Sequence, residues 1–181
     1  MVTELSHYAL IIGFAMACVA LGMYFLSQKI PVRPGAIVPG LCRGVDLRSG
    51  LTSIPVLEFS PSVDPHDFRS KMRVQSGVIP VRLWCIPSQL EQGKRFAATC
   101  CAIVVTHDAV LRDQLTEDCY GFTMAVKGLT DVDRSAFRER IALHSIDVHI
   151  GGAEILYSVP GIVGMQLSLD GTGQFIACGI G

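Results

Sequence analysis

Tyr8 to Leu26 reads YALIIGFAMACVALGMYFL, nineteen consecutive residues without a charged side chain. At 1.5 Å of rise per residue, a helix of that length covers roughly 28 Å, close to the thickness of a bilayer's hydrocarbon core. A signal peptide would open on a basic stretch and carry a shorter apolar run, of about 7–15 residues. The flank MVTELSH contains neither Lys nor Arg. A surface helix of a soluble domain would show a polar side. The run therefore predicts a single transmembrane helix over residues 8–26, preceded by a short flank, 1–7, with the lipid bilayer as the first partner.

The flanks orient the span. Glu4 and His7 precede it; Lys29, Arg33, Arg43 and Arg48 follow, opposed by Asp46. Basic residues beside a span stay on the cytoplasmic side, which predicts a single-pass membrane protein with its C-terminal domain in the reducing compartment. The seven cysteines (Cys18, Cys42, Cys85, Cys100, Cys101, Cys119 and Cys178) agree. An odd number with an adjacent pair is unlike a secreted disulfide framework and reads as buried thiols. Within the span, Ala9, Gly13 and Ala17 fall four apart on one ridge, with Ala20 a turn further on. Small residues at this spacing let helix backbones approach closely in lipid, so the span is expected to pack against another helix, in a homo-oligomer or a larger assembly.

Residues 27–53 form a basic connector rich in proline and glycine: Pro31, Pro34, Pro39, Gly35, Gly40, Gly44 and Gly50. Proline blocks helix continuation, so extended or turn structure is expected, with positive charge suited to anionic headgroups. From 54 to 181 short apolar or alternating runs predict strands at 54–59, 78–86, 96–105, 120–127, 145–150, 154–159, 163–169 and 174–178. Alternation is clearest at 145–150, where Ser145, Asp147 and His149 face one way and Ile146, Val148 and Ile150 the other. Gly151-Gly152 and Gly171-Thr172-Gly173 mark turns of a C-terminal antiparallel meander.

Three helix starts interrupt the strands. Asp64-Pro65-His66-Asp67 predicts a two-turn helix through Met72. Thr106 is a cap for a helix burying Val110, Leu111 and Leu115. Thr130 and Asp133 form a capping-box variant ahead of the stripe Val132, Ala136, Phe137 and Ile141. The fold class expected is thus one membrane helix and one β-rich, mainly antiparallel domain, a sandwich or jelly-roll-like arrangement with two or three short helices.

No residue pattern carries a recognisable catalytic, cofactor or metal chemistry. Cys100 and Cys101 near His107 suggest a nucleophile pair, but CCAIVV reads as a buried apolar strand without the electropositive surroundings a reactive thiol needs. There is no CxxC, no HExxH and no P-loop Lys-Ser/Thr after Gly171-Thr172-Gly173. Asp147 and His149 share a strand face, with His144 expected on the opposite one, which leaves two ligands at most. Fifteen basic residues against sixteen acidic ones leave no basic tract for nucleic acid.

Mean hydropathy is +0.44, although the span is only about a tenth of the chain. Such an apolar excess marks surface buried against partners. The function expected is a non-catalytic, single-span structural or accessory subunit of a membrane-associated assembly. The setting is a cellular membrane complex or a membrane-containing virion, where the chain would be a minor capsid protein; a jelly roll would favour the second. The alternative is a membrane-tethered enzyme or ligand-binding domain whose site is assembled from distant residues, Ser145, Asp147 and His149 first among them.

Overall fold

The computed structural model describes residues 36–37, 50–51, 53–127 and 133–180. The chain divides into two compact units, Met1–Val32 and Arg33–Gly181, and every described residue belongs to the second. The expected span with Ala9, Gly13, Ala17 and Ala20, and the basic residues Lys29, Arg33, Arg43 and Arg48, lie outside the described residues. Among the described residues no helix is long and apolar enough to cross a membrane.

The domain is a mostly antiparallel sheet backed by one long helix and one short one. Its strands are β1 (Ala36–Ile37), β2 (Ser60–Pro61), β3 (Asp67–Val74), β4 (Gly77–Trp84), β5 (Ala142–His149), β6 (Gly152–Val159), β7 (Val163–Asp170) and β8 (Phe175–Ile180). A 3-10 turn, Pro87–Gln89, leads into helix α1 (Leu90–Lys127); α2 (Arg134–Arg140) follows. The eight strands form a single sheet in the order β1-β8-β7-β6-β5-β4-β3-β2. One sheet therefore replaces the sandwich or jelly roll that the sequence suggests. The parallel pair is β4 with β5, and parallel neighbours need a crossover connection, here supplied by α1 and α2.

The C-terminal meander follows from strict period-two patterning. Ala153, Ile155, Tyr157 and Val159 on β6, and Val163, Met165, Leu167 and Leu169 on β7, are all buried, while the residues between them are partly exposed. The β5–β6 turn is Ile150-Gly151, with Gly151 at φ +94°, a left-handed value that glycine adopts without steric cost. At the β7–β8 turn, Asp170 Oδ1 accepts from the backbone N–H groups of Thr172 and Gln174, each at 2.8 Å.

Four expectations are corrected. The segments 96–105 and 120–127 are not strands but parts of one 38-residue helix, α1. Cys100, Cys101, Ala102, Ile103 and Val104 are buried on every side, so the run shows neither the helical nor the strand period. Thr106, expected to cap a helix, sits within α1; Leu111 and Leu115 are buried as expected, whereas Val110 is 49% exposed. Residues 64–72 are a turn and strand β3 rather than a helix. Asp64 Oδ1 accepts from the His66 N–H at 2.8 Å, and the Asp67 N–H donates to the Asp64 carbonyl at 3.0 Å. That Asx turn uses the same residues as a helix cap would, and the alternating DFRSKMRV then pairs with β4 throughout its length. Residues 54–59 pair with no strand; the ladder begins at Ser60.

α2 forms close to where it is expected, but Asp133 is itself the N-cap rather than the inner member of a capping box: it accepts from the Ser135 N–H at 3.2 Å, and Phe137 is fully buried. Thr130 and Val132 lie outside the described residues. The Phe137 ring meets Tyr120 of α1 edge-on at 5.5 Å, and Arg134–Glu117 and Arg138–Asp113 ion pairs flank it. At Gly93 α1 runs so close to the sheet that a Cβ would lie 3.0 Å from Leu83 Cδ1. Leu51, Leu57 and Phe59 pack against the same core, and Gly50 lies beside Thr106 of α1.

Candidate functional site on the open sheet face

Among the described residues the helices cover one face of the sheet and leave the other face open. Strand alternation places Asp67, Arg69, Lys71 and Arg73 of β3, and Val78, Pro80, Arg82 and Trp84 of β4, on that open face. β5 adds His144, Ser145, Asp147 and His149. A β-bulge between Leu143 and Ser145 puts two consecutive residues outward. His144 consequently lies on the same face as Ser145 and Asp147, not on the opposite one as strict alternation predicts.

Across β3, β4 and β5 these residues line a groove of about 400 Å³, in which Arg69, Lys71, Arg82, His144, Ser145 and Asp147 supply the side-chain chemistry. Asp67 organises one wall. It is only 3% exposed, and its Oδ2 accepts from Arg69 Nε at 3.1 Å and Nη2 at 2.9 Å. Arg82 Nε stands 3.7 Å from the other oxygen, Oδ1, and the Arg82 guanidinium lies 5.5 Å from the centre of the Trp84 ring, within cation–π range. Lys71, Arg73, His144, Asp147 and Glu154 have no ion-pair or hydrogen-bond partner among the described residues.

Ser145 and Asp147 meet in the groove, while His149 lies beyond its lining. No hydrogen bond joins any two of the three among the described residues, so they do not form the acid–base–nucleophile chain that hydrolytic chemistry requires. Arg69 and Lys71 alternate along β3, a signal hidden when 64–72 is read as a helix, and Arg82 carries no such signal. They converge because β3 and β4 form a hairpin and β4 pairs with β5 across a long crossover.

The thiols are sequestered in helix α1. Cys100 and Cys101 are fully buried, and burial pushes Cys100 up to about 12 and Cys101 higher still. Along the helix His107 is six and seven residues away, roughly 9–10 Å of rise, which separates the suggested nucleophile pair. A partly exposed polar network at the edge of the core is different: the hydroxyl of the buried Tyr157 donates to Asp108 Oδ1 at 2.9 Å, and Arg112 pairs with the same carboxylate. It ties β6 to α1 beside a cleft of about 510 Å³ that includes Thr106, Asp108 and Arg112. Burial and the Asp108 charge both raise the Tyr157 phenol above its ordinary value.

Among the described residues no three His, Cys, Asp or Glu side chains are grouped to hold a metal ion. No protein-family model, curated protein or solved structure matches the chain.

Proposed function

We propose that this chain is a non-catalytic, single-span structural subunit of a membrane-associated assembly. In this reading residues 8–26 are the anchor, Ala9, Gly13, Ala17 and Ala20 pack it against another helix, and the β-rich domain on the cytoplasmic side docks on protein. The observation that supports it is the asymmetry of the sheet. Eight strands have a helix-covered face and a second face that carries a groove, unpaired cations and Trp84, but no hydrogen-bonded catalytic set among the described residues. With one sheet in place of a jelly roll, the argument toward a virion lapses, and an accessory subunit of a cellular membrane complex is the better-supported setting.

The test is gentle detergent extraction of the full-length protein, followed by mass measurement and identification of co-purifying chains. A fixed large mass with stoichiometric partners is expected. Removal of residues 1–26 should release the domain from membranes; a truncated chain that stays bound in high salt contradicts the anchor. A chain that extracts without any bound protein contradicts the structural role.

A further inference from the structure

The open face is divided by charge along the boundary between β4 and β5. On β3 and β4 it carries Arg69, Lys71, Arg73 and Arg82 against Asp67, a net charge of +3. On β5, β6 and β7 it carries Asp147, Glu154 and Asp170, a net charge of −3 with His144 and His149 neutral. A merely solvated face has no need of this division, and the division has a cost. In the ladder Arg69 stands directly opposite Arg82, and Asp147 directly opposite Glu154. Like charges in register across a sheet are destabilising. Asp67 relieves the arginines; Asp147 has Arg82 as its other ladder neighbour but forms no ion pair with it among the described residues, and Glu154 has no cation beside it in the ladder.

The cross-strand registers place these four residues in one row, Arg69–Arg82–Asp147–Glu154. A two-fold axis parallel to the strands, running between β4 and β5 just above the open face, brings a second copy onto this row in reverse order. Arg82 then faces Asp147 of the second copy and Arg69 faces its Glu154, and the same two contacts recur by symmetry. In the neighbouring row, the Lys71 stem comes to lie over Leu156 of the second copy.

We infer that the occupant of the open face is a second copy of this chain, docked sheet to sheet as a two-fold homodimer. Every like-charged neighbour in the monomer gains an opposite charge across the interface. Isologous contacts of this kind are self-complementary by construction. The geometry yields an aligned two-sheet sandwich from two single-sheet chains. The overlap of β3–β4 with β5–β6, with the two-residue β2 against β7, covers on the order of 600 Å² per copy from strand spacing and rise, at the lower end of the roughly 600–1,000 Å² per partner of stable interfaces. The inference rests on the proposed assembly role only in taking the open face to be an interface.

The test uses the full-length protein in mild detergent, with mass from light scattering corrected for detergent and folding checked by circular dichroism. The wild type should be dimeric at micromolar concentration in low salt and should dissociate about tenfold more readily near 1 M salt, where the Debye length is about 3 Å. Arg82→Glu and Asp147→Arg should each weaken the dimer about tenfold or more. An equimolar mixture of the two should recover it as a heterodimer, because each contact is again between opposite charges. Repair of folding within one chain cannot produce that recovery.

Glu154→Arg supplies a second test. It replaces the internal Asp147–Glu154 repulsion with an attraction, so it should fold at least as well as the wild type and yet dimerise more weakly. A wild-type monomer, a mixture no tighter than its components, or a dimer untouched by all three substitutions overturns the inference. The last outcome would place self-association in the span. Stoichiometric foreign subunits around a single copy would also overturn it while leaving the assembly role intact.

Discussion

Gly152 opens β6 opposite Asp170, and a Cβ built on it would lie 2.8 Å from the Leu169 carbonyl oxygen of β7. The obstacle is backbone, so no side-chain rotation relieves it, and the two central strands must separate. Gly152→Ala is expected to destabilise the domain by about 1–3 kcal/mol, the usual cost of overpacking. Gly121, on the exposed side of α1, has nothing within 4 Å of such a Cβ. Gly121→Ala should stabilise by roughly 1 kcal/mol through helix propensity alone. Urea midpoints of the two variants therefore move in opposite directions; a shared direction would contradict the close approach at residue 152. The residue scale is also where sequence reasoning found and lost the open-face groove. Ser145 and Asp147 stand out because β5 alternates so regularly. His144 was misplaced because a bulge leaves no mark in a run of residues, and Arg82 is sixty-five positions from Asp147, its neighbour in the ladder.

At the scale of elements, legibility followed burial. β6 and β7 each present one wet and one dry face, so their period-two pattern survives in the sequence. α1 does not, because residues 100–104 are buried without a break and lose the polar members that would reveal a helical stripe. Its hydroxyls are accommodated rather than capping: Thr99 and Thr116 donate to the carbonyls of Arg95 and Arg112, one turn back. α2 was legible because it is short, capped and wet on one side. Its attachment to α1 depends on Phe137, fully buried against Tyr120, rather than on its ion pairs. Phe137→Ala should cost about 3–5 kcal/mol of stability, whereas Arg138→Ala, whose pair with Asp113 is exposed to solvent, should leave the melting temperature unchanged. Comparable losses in thermal melts of both variants would show that charge, not packing, docks α2.

At the scale of the whole molecule, burial of neutral acids sets an alkaline limit. Cys100, Cys101 and Tyr157 all ionise higher in the folded chain than their ordinary values, whereas in the unfolded chain Cys ionises near about 8.5 and Tyr near about 10. Their contribution is complete below about pH 8.5 and is lost as pH rises towards the folded values, because the unfolded state then releases protons that the folded state keeps. Each group steepens the decline by up to about 1.4 kcal/mol per pH unit. Urea unfolding between about pH 7 and 11 should show stability falling above about pH 9, and Cys100→Ala, though less stable at neutral pH, should fall less steeply. An equal slope in the variant would mean that the thiol is solvated.

The placement of β1 has a mechanical meaning. Among the described residues the chain first enters the sheet at Ala36–Ile37, a two-residue strand paired with Gly179 and Ile180 of β8, with β8 itself laced to β7 along five pairs. A pull applied ahead of Ala36 meets that short seam before it meets β2, the next strand in the chain, at the opposite edge of the sheet. With two paired residues against the eight of β6 with β7, β1 is the seam expected to part first under tension, in the manner of a fuse.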